Sequence, residues 1–202
     1  MNIALIGATG NAGSRILAEL IRRGHIVTAI VRNPTQVPAQ AGVTAIKGDA
    51  NDPVSLAALL KGHDAVVSSV RFSDSDPRKL IEAVRASGVK RYLVVGGAGS
   101  LEAAPGLRVI DTPNFPPAYK PEASAGGAFL EVLKGEQELD WTFLSPSAVF
   151  TAGERTGKFR LGRDQLLVND QDSSISFEDY AIALVDELEK PAHVRERFTV
   201  GY

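Results

Sequence analysis

"IALIGATGNAGSRI", residues 3 to 16, places a short apolar run directly before three glycines that are three positions apart. The run predicts a buried strand, and the apolar spacing from Ile16 onward predicts a helix. The glycines are Gly7, Gly10 and Gly13, and they keep side chains away from the turn between these two elements. A helix N-terminus carries unpaired N–H groups and partial positive charge. The stretch therefore predicts a strand–turn–helix unit that holds an anionic group such as a pyrophosphate.

The three glycines have separate predicted roles in this unit. Gly7 allows the tight turn, Gly10 lets phosphates approach the backbone, and Gly13 lets the helix lie close to the strand. The spacing is G-x-x-G-x-x-G rather than G-x-G-x-x-G, so the pattern alone is a weak signal, and its place at the start of a βαβ series strengthens it. The alternative is that the glycines serve only the turn and the packing of the helix.

Composition limits the classes of protein that remain. The 202 residues are 44% hydrophobic and 23% charged, which is typical of a globular chain and excludes a mainly disordered one. The formal charge of −2 predicts no general attraction to nucleic acid or to an anionic membrane. Because the chain has no cysteine, disulfides, zinc–thiolate sites and cysteine nucleophiles are excluded.

The sequence shows no pattern typical of a targeting segment or of a metal site. Met1 leads directly into an apolar strand pattern, and no apolar run approaches the roughly 18 residues that a membrane span needs. We therefore expect a cytoplasmic protein that does not enter a membrane. The three histidines, His25, His63 and His193, show no metal-ligand spacing, so we expect no metal site.

Short β-branched runs alternate with helix-like segments along the whole chain. This alternation predicts an α/β fold of the Rossmann type, with a doubly wound parallel sheet of about seven strands in a single domain over residues 1–202. Asp-Pro pairs at Asp52 and Asp76 each predict the start of a helix. The strands are predicted at residues 2–6, 26–31, 43–47, 65–68, 91–95, 141–144 and 197–200.

The first helix has a predicted apolar face that packs on the sheet. Its apolar residues are Ile16, Leu17, Leu20 and Ile21. At helical spacing, Arg15, Glu19 and Arg22 lie away from that face.

Two long segments interrupt the alternation, at residues 96–120 and 151–174. The first contains four prolines and the sequence "GGAGS", and the second is polar and rich in turn residues. Both follow the carboxyl ends of strands, where open parallel sheets bind ligands, so we expect them to form a small substrate-side elaboration. Basic residues of the second segment that could attract an anionic acceptor are Arg155, Lys158, Arg160 and Arg163, although scattered basic residues are usually solvated surface.

The end of the second predicted strand bears on the choice of dinucleotide. An NAD enzyme places an acid there, on the ribose 2′-hydroxyl, but this chain reads "TAIVRNP". Arg32 offers charge-assisted hydrogen bonds to a 2′-phosphate instead, which favours NADP(H) over NAD(H). The alternative is a solvated arginine at a strand end.

Four sequence segments together carry a family resemblance over nearly the whole chain. "GATGNAGSRI", "GDANDP", "VVGGAGS" and "ISFEDYA" resemble the atypical short-chain dehydrogenase/reductases, and more closely the NmrA-like NAD(P)H-binding proteins described as NADH-flavin reductases. This resemblance implies the Rossmann fold and a nicotinamide cofactor. The cofactor-binding positions that the resemblance and the glycine motif imply are Gly7, Thr9, Gly10, Asn11, Ala12, Gly13, Arg32, Asp49, Ala50, Ser68, Ser69, Gly96, Gly97, Ser145 and Pro146.

Catalytic residues are harder to assign, because the chain lacks the Tyr-x-x-x-Lys pair of full short-chain dehydrogenases. In that pair the lysine lowers the pKa of the tyrosine for proton relay. The nearest substitutes are Tyr119 and Lys120 in "AYKPEA", and Ser100 falls roughly at the position of the family's catalytic serine. Tyr119 and Lys120 as exposed loop residues, and Asp49 as a turn-forming carboxylate, remain open alternatives.

The missing pair favours one class of acceptor. Flavins and quinones accept hydride into a delocalised system and need mainly positioning, whereas a ketone needs a delivered proton. We therefore expect an NAD(P)H-dependent reductase of a small-molecule acceptor such as a flavin or quinone, acting as a monomer or homodimer. The alternative is a regulatory protein that senses NADP(H) without turnover.

Overall fold

An eight-stranded sheet forms the centre of the molecule, and helices cover both of its faces. The computed structural model describes residues 1–202. The central strands are β1 Asn2–Ile6, β2 Ile26–Val31, β3 Val43–Lys47, β4 Ala65–Ser68, β5 Arg91–Val95, β8 Asp140–Pro146, β10 Arg160–Gly162 and β12 Glu196–Gly201. Two small pairs lie outside the sheet: β6 Glu102–Ala104 with β7 Leu107–Arg108, and β9 Val149–Thr151 with β11 Ser174–Ser176.

The strand order across the sheet is β3-β2-β1-β4-β5-β8-β12-β10. All neighbours are parallel except β10, which runs antiparallel to β12. The order reverses between β1 and β4, and open α/β sheets bind ligands at the carboxyl edge of such a point. The predicted Rossmann-type fold is confirmed.

The sequence prediction of about seven strands missed the short edge strand β10. This strand lies inside the segment predicted as a loop over residues 151–174. It has only three residues, Arg160, Leu161 and Gly162, so it lacks the apolar run that marks the central parallel strands.

Five helices connect the strands. They are α1 Asn11–Arg22, α2 Pro53–Leu60, α3 Pro77–Ser87, α4 Lys120–Lys134 and α5 Phe177–Glu189. The two Asp-Pro starts are confirmed, because Asp52 accepts a hydrogen bond from the Ser55 amide at 3.1 Å and Asp76 from the Arg78 amide at 2.9 Å. None of the helices is both long and apolar enough to cross a membrane.

The two faces of the sheet have separate hydrophobic cores. α1 and α5 cover one face, where Ile16 and Tyr180 are fully buried. α2, α3 and α4 cover the other, where Leu56 and Phe129 are buried. Helices on both faces explain why each central strand is almost entirely apolar.

Glu19 on α1 is buried, with 3% of its surface exposed, although it lies away from the apolar face of the helix. Residues after β9 fold back over this side of α1 and bring Arg155 to within 2.9 Å of the Glu19 carboxylate. Arg23 pairs with the same carboxylate at 2.9 Å. The contact joins residues 136 positions apart, so a pattern local to the helix could not reveal it.

Acid should weaken this ion-paired network through Glu19. Burial raises the pKa of Glu19, but hydrogen bonds and charge from Arg155 and Arg23 outweigh burial and hold the pKa below its ordinary value of 4.5. The carboxylate therefore stabilises the fold above about pH 4.5, and this stabilisation is lost as the pH falls through the lower folded-state pKa. We expect Glu19→Gln to be less stable than wild type at pH 7, with the difference shrinking on acidification in denaturant titrations.

The matched control for that prediction is Glu82→Gln. Glu82 is exposed on α3 and makes no side-chain hydrogen bond or ion pair, so its variant should follow the wild-type pH dependence. A constant difference between Glu19→Gln and wild type at all pH values would contradict the proposed titration.

Asp179 in the first turn of α5 fixes the segment between β9 and β10. Its buried carboxylate accepts hydrogen bonds from the Thr156 and Gly157 amides, both at 2.8 Å. The hydroxyl of Thr156 donates to it as well, and so does that of Tyr202 at 2.9 Å. Residues 151–158 consequently pack against α1 and α5.

Three of the four basic residues that could attract an anionic acceptor have other partners. Arg155 pairs with Glu19 at 2.9 Å, and Arg160 donates to the backbone oxygens of Val168 and Tyr202. Arg163 is largely exposed and lies 3.6 Å from Glu196. These contacts hold the three arginines at the edge of the sheet and on the 151–158 segment, which leaves them less available to an anionic acceptor.

Candidate cofactor-binding cleft

A cleft of about 450 Å³ lies at the carboxyl edge of the sheet, where the strand order reverses. Residues from the loops after β1, β2, β3 and β4 line it. They are Ile6, Gly7, Thr9, Gly10, Ile30, Val31, Arg32, Gly48, Asp49, Ala50, Asn51, Ser69, Val70, Arg71, Asp74 and Ser75. The fold thus brings together seven residues that were predicted from the sequence to bind the cofactor. They are Gly7, Thr9, Gly10, Arg32, Asp49, Ala50 and Ser69.

Gly7 and Gly13 are required by the protein itself. Gly7 has φ +84°, and a Cβ there would overlap the Ser69 carbonyl oxygen. A Cβ at Gly13 would overlap the carbonyl oxygen of Gly7. The glycine loop therefore packs so closely on Ser69, and α1 so closely on the loop, that neither position can hold a side chain.

Gly10 is different, because the protein leaves room for a side chain there. It has φ −72°, which suits any residue, and a Cβ would have ordinary contacts of 3.5 Å to Gly7 O and 3.9 Å to Ser69 O. Gly10 lines the cleft, so the space above it is available to a ligand.

The N-terminus of α1 offers free hydrogen-bond donors beside this space. No side chain caps the helix, and no acidic residue lies in its first turn. The amides of Asn11, Ala12 and Gly13 donate to no group in the protein. Three free amides at the positive end of a helix form a cradle for an anion, so these residues fit the pyrophosphate of a dinucleotide.

Arg32 and Asp49 lie at the ends of neighbouring strands. The Arg32 guanidinium is exposed, lines the cleft and has no hydrogen-bond or ion-pair partner. Asp49 accepts a hydrogen bond from the Asn51 amide at 2.8 Å, so one carboxylate oxygen forms the turn that was left open as an alternative. Its exposed side chain also lines the cleft.

Arg71 is a cleft residue that sequence reasoning missed. Of the fourteen arginines in the chain, only Arg32, Arg71 and Arg78 have a guanidinium without a hydrogen-bond or ion-pair partner. Two of these three line the same cleft. The available signal was an arginine directly after a buried parallel strand, in "SSVRFSDSDP".

The two serines that end or follow β4 are placed differently. Ser68 is buried, and its hydroxyl hydrogen-bonds to the Tyr92 hydroxyl at 2.9 Å, so its side chain points away from the cleft. Ser69 lines the cleft, and its carbonyl oxygen lies against Gly7.

Buried tyrosines are committed to the core and do not face the cleft. Tyr92 bonds to Ser68, and the Tyr180 hydroxyl donates to the Leu144 carbonyl at 2.7 Å. Burial raises the pKa of both phenols well above the usual range. Neither is suited to relay a proton at neutral pH.

Four further residues that were predicted to bind the cofactor, Gly96, Gly97, Ser145 and Pro146, are mainly packed into the fold. A Cβ at Gly96 would overlap the Phe143 ring, whereas Gly97 has its nearest neighbour, Phe72, at 3.8 Å. Ser145 is fully buried and its Oγ has no partner, and Pro146 next to it ends β8. Gly96 therefore has a packing role of its own, and none of these four residues lines the cleft described above.

The three candidate catalytic residues have different surroundings. The Ser100 hydroxyl accepts from the Arg197 guanidinium at 3.3 Å, and its Cβ lies near Gly127 of α4. Tyr119 is 66% exposed just before α4, and the Tyr119 and Lys120 side chains make no hydrogen bond. Lys120 lies near Asp111 instead, whose pKa is lowered mainly by the Arg108 hydrogen bond and also by the Lys120 charge.

Comparison with known proteins identifies the family. The profile of a family described as NAD(P)H-binding matches residues 7–191. The chain belongs to this NAD(P)H-binding family. The match begins at Gly7 and includes every loop that lines the cleft, so family membership and the geometry of the glycine loop agree.

Full-length relatives support this NAD(P)H-binding assignment. A Bacillus subtilis relative, the uncharacterized protein YwnB, is 46% identical over 99% of this chain and 98% of its own. A Streptococcus pneumoniae structure with the provisional name NADH-flavin reductase is 40% identical, with a TM-score of 0.84, and covers 100% of this chain and 99% of its own.

One more distant structure shares the fold. It is a Veillonella parvula short-chain dehydrogenase/reductase in complex with NADP, with 21% identity and a TM-score of 0.82 over 100% of this chain and 94% of its own. The predicted resemblance to NAD(P)H-binding proteins described as NADH-flavin reductases is confirmed by the family match and by the Streptococcus pneumoniae structure.

Proposed function

We propose that this protein is an NADPH-preferring reductase that transfers hydride to a conjugated acceptor such as a flavin or quinone. The observation that carries the proposal is the open space above Gly10, bounded by three free α1 amides and by two arginines without partners. Membership of the NAD(P)H-binding family and similarity to a provisionally named NADH-flavin reductase support an oxidoreductase role.

Different residues of the cleft bind different parts of the dinucleotide. The free amides of Asn11, Ala12 and Gly13 bind the pyrophosphate. Arg32 and Arg71 provide positive charge for the adenosine 2′-phosphate, which NADH lacks. Asp49 keeps an oxygen free to accept from the adenine amino group. When bound, the reduced nicotinamide supplies the hydride.

The proposed class of acceptor follows from the hydroxyl groups that are not available to donate a proton to the substrate. Ser100 is bonded to Arg197, and Tyr92 and Tyr180 are buried, so none of these three hydroxyls is free to protonate a developing alkoxide. Flavins and quinones delocalise the added electrons and take a proton from solvent, so positioning is enough for them. Tyr119 and Lys120, at the N-terminus of α4, are the exposed residues suited to flank such an acceptor.

The same arrangement favours one competing function, a protein that senses NADP(H) and does not turn it over. A cofactor cleft without a poised proton donor serves binding as well as reduction. The two functions differ in whether NADPH is oxidised when an acceptor is added.

The test combines turnover with cofactor affinity. Purified protein is mixed with NADPH or NADH, and absorbance loss is followed after addition of flavin mononucleotide or a quinone. We expect turnover that prefers NADPH. For Arg32→Ala, calorimetry should show NADPH binding weakened about 10- to 100-fold and NADH binding changed less than about 2-fold, because one charge-assisted contact is lost.

Arg163→Ala is the control, since Arg163 is exposed and lies far along the chain from the cleft loops. Equal weakening of NADPH and NADH by Arg32→Ala would contradict the 2′-phosphate contact. Tight NADPH binding without turnover on any acceptor would favour the sensor. Failure to bind either dinucleotide would refute both functions.

A further inference from the structure

The 3-10 turn Phe72–Asp74 borders the cleft and is hydrogen-bonded from two sides. On one side, the Asn51 side-chain amide donates to the Asp74 carbonyl at 2.8 Å, and its oxygen accepts from the Asp76 amide at 3.1 Å. On the other side, the Glu122 carboxylate accepts from the Phe72 amide at 2.7 Å and the Ser73 amide at 2.9 Å. The turn is thereby fixed between two separate parts of the chain.

Asn51 belongs to the adenosine half of the cleft. It lines the cleft together with Asp49 and Ala50, in the loop after β3. Its two hydrogen bonds join this loop to the loop after β4, which carries the turn, so the two walls of the cleft are directly connected.

Glu122 belongs to the acceptor half. It lies in the first turn of α4, three residues after Tyr119 and two after Lys120. The same part of α4 packs closely on its surroundings, because a Cβ at Gly126 would lie 2.9 Å from the Phe72 ring, and Ala123 leaves only 2.7 Å to a Cβ at Gly99. The N-terminus of α4 is therefore held to the loops after both β4 and β5.

Phe72 makes the turn a rigid connector. Its ring is buried and lies 5.3 Å from the Phe129 ring of α4 and 6.0 Å from the Phe143 ring of β8, measured between centroids. The backbone amides of Phe72 and Ser73 start the 3-10 turn, where N–H groups lack partners within the turn. The Glu122 carboxylate of α4 accepts a charge-assisted hydrogen bond from each of these two amides.

We propose that Glu122 is a positioning residue that couples binding of the adenosine half of the dinucleotide to the order of the acceptor side. The coupling runs from the Asn51 wall through the Phe72–Asp74 turn to the Glu122 carboxylate and the N-terminus of α4. The proposal rests on the proposed function for its cofactor, and it assigns Glu122 no contact with the reacting atoms.

The test measures backbone amide exchange with and without NADPH. In the wild type, NADPH should slow exchange in residues 71–76 and also in residues 120–126, by about 5-fold or more, the lower range of energetic coupling between sites. In Glu122→Ala, protection of 71–76 should persist while protection of 120–126 falls below about 2-fold. Glu122→Gln keeps one acceptor oxygen and should give an intermediate result if the alanine variant is too unstable to measure.

Glu131→Ala is the matched control, because Glu131 lies on the same helix, is exposed and pairs only with Lys134 at 2.8 Å. It should retain wild-type protection of both segments. With an acceptor present, Glu122→Ala should lower kcat/KM for the acceptor while the Kd for NADPH changes less than about 3-fold.

Two results would overturn the coupling. The first is wild-type protection confined to residues 71–76, and the second is protection of 120–126 that survives in both Glu122 variants. Calorimetric titration of the wild-type protein with NADPH separates these results from failure of the proposed function. If the wild type binds no NADPH, the cofactor assignment and the coupling are refuted together. Binding with uncoupled segments refutes only the coupling.

Discussion

Replacing Gly10 by alanine is expected to abolish tight dinucleotide binding and to leave the fold intact. The added Cβ meets only ordinary contacts within the protein, at 3.5 Å and beyond, and φ −72° suits alanine. It would occupy the space above the three free amides of α1, where the pyrophosphate is proposed to lie. We expect the Kd for NADPH to rise by about 100-fold, as when overpacking costs ~3 kcal/mol.

The measurement pairs calorimetric titration of NADPH with thermal unfolding of the unliganded protein. The Gly10→Ala midpoint should stay within a few degrees of wild type, whereas Gly13→Ala should unfold at clearly lower temperature, because its Cβ overlaps Gly7 O. Unchanged NADPH affinity in Gly10→Ala would show that no phosphate approaches this loop.

Asp179→Ala is expected to cause a large loss of stability although the residue lies outside the cleft. Asp179 is fully buried, and its carboxylate accepts from two backbone amides and two hydroxyls. Removal leaves these donors without an acceptor and releases the segment over residues 151–158. Allowing for solvent access to the released segment, we expect a loss of about 3–5 kcal/mol in the free energy of unfolding, measured in denaturant.

Asp170→Ala provides the comparison for that substitution. Asp170 is exposed and its side chain makes no hydrogen bond, so the variant should lie within about 0.5 kcal/mol of wild type. A loss below about 1 kcal/mol for Asp179→Ala would mean that the segment is held by other contacts, such as the Arg155–Glu19 pair.

The central parallel strands could be predicted because each is an apolar run bounded by turn residues. Five of the seven predicted strands have the predicted bounds, and the other two differ by one or two residues at their ends. β10 and the burial of Glu19 could not be predicted, because both depend on where a polar segment packs. That position is set by Asp179 and Arg155, which act on residues distant in sequence.

In the candidate site, too, the roles set by local sequence could be predicted and those set by distant residues could not. Gly7, Gly10, Gly13 and Arg32 were recognisable, since their roles follow from a strand that turns into a helix and from position at a strand end. The orientation of the Ser68 side chain was not recognisable, because Tyr92, which holds it away from the cleft, lies 24 residues away. The hydrogen bond between Ser100 and Arg197 was equally hidden, because these residues are 97 positions apart.

The arrangement of helices on the two faces also bears on how the chain folds as it is synthesised. α2, α3 and α4 are complete by Lys134, so one face of the sheet has its full cover before β8 emerges from the ribosome. The other face has only α1 until α5 supplies Tyr180, Leu184 and Leu188. A growing chain therefore carries a half-covered apolar surface through most of its translation, the stage at which exposed surface favours aggregation and chaperone binding.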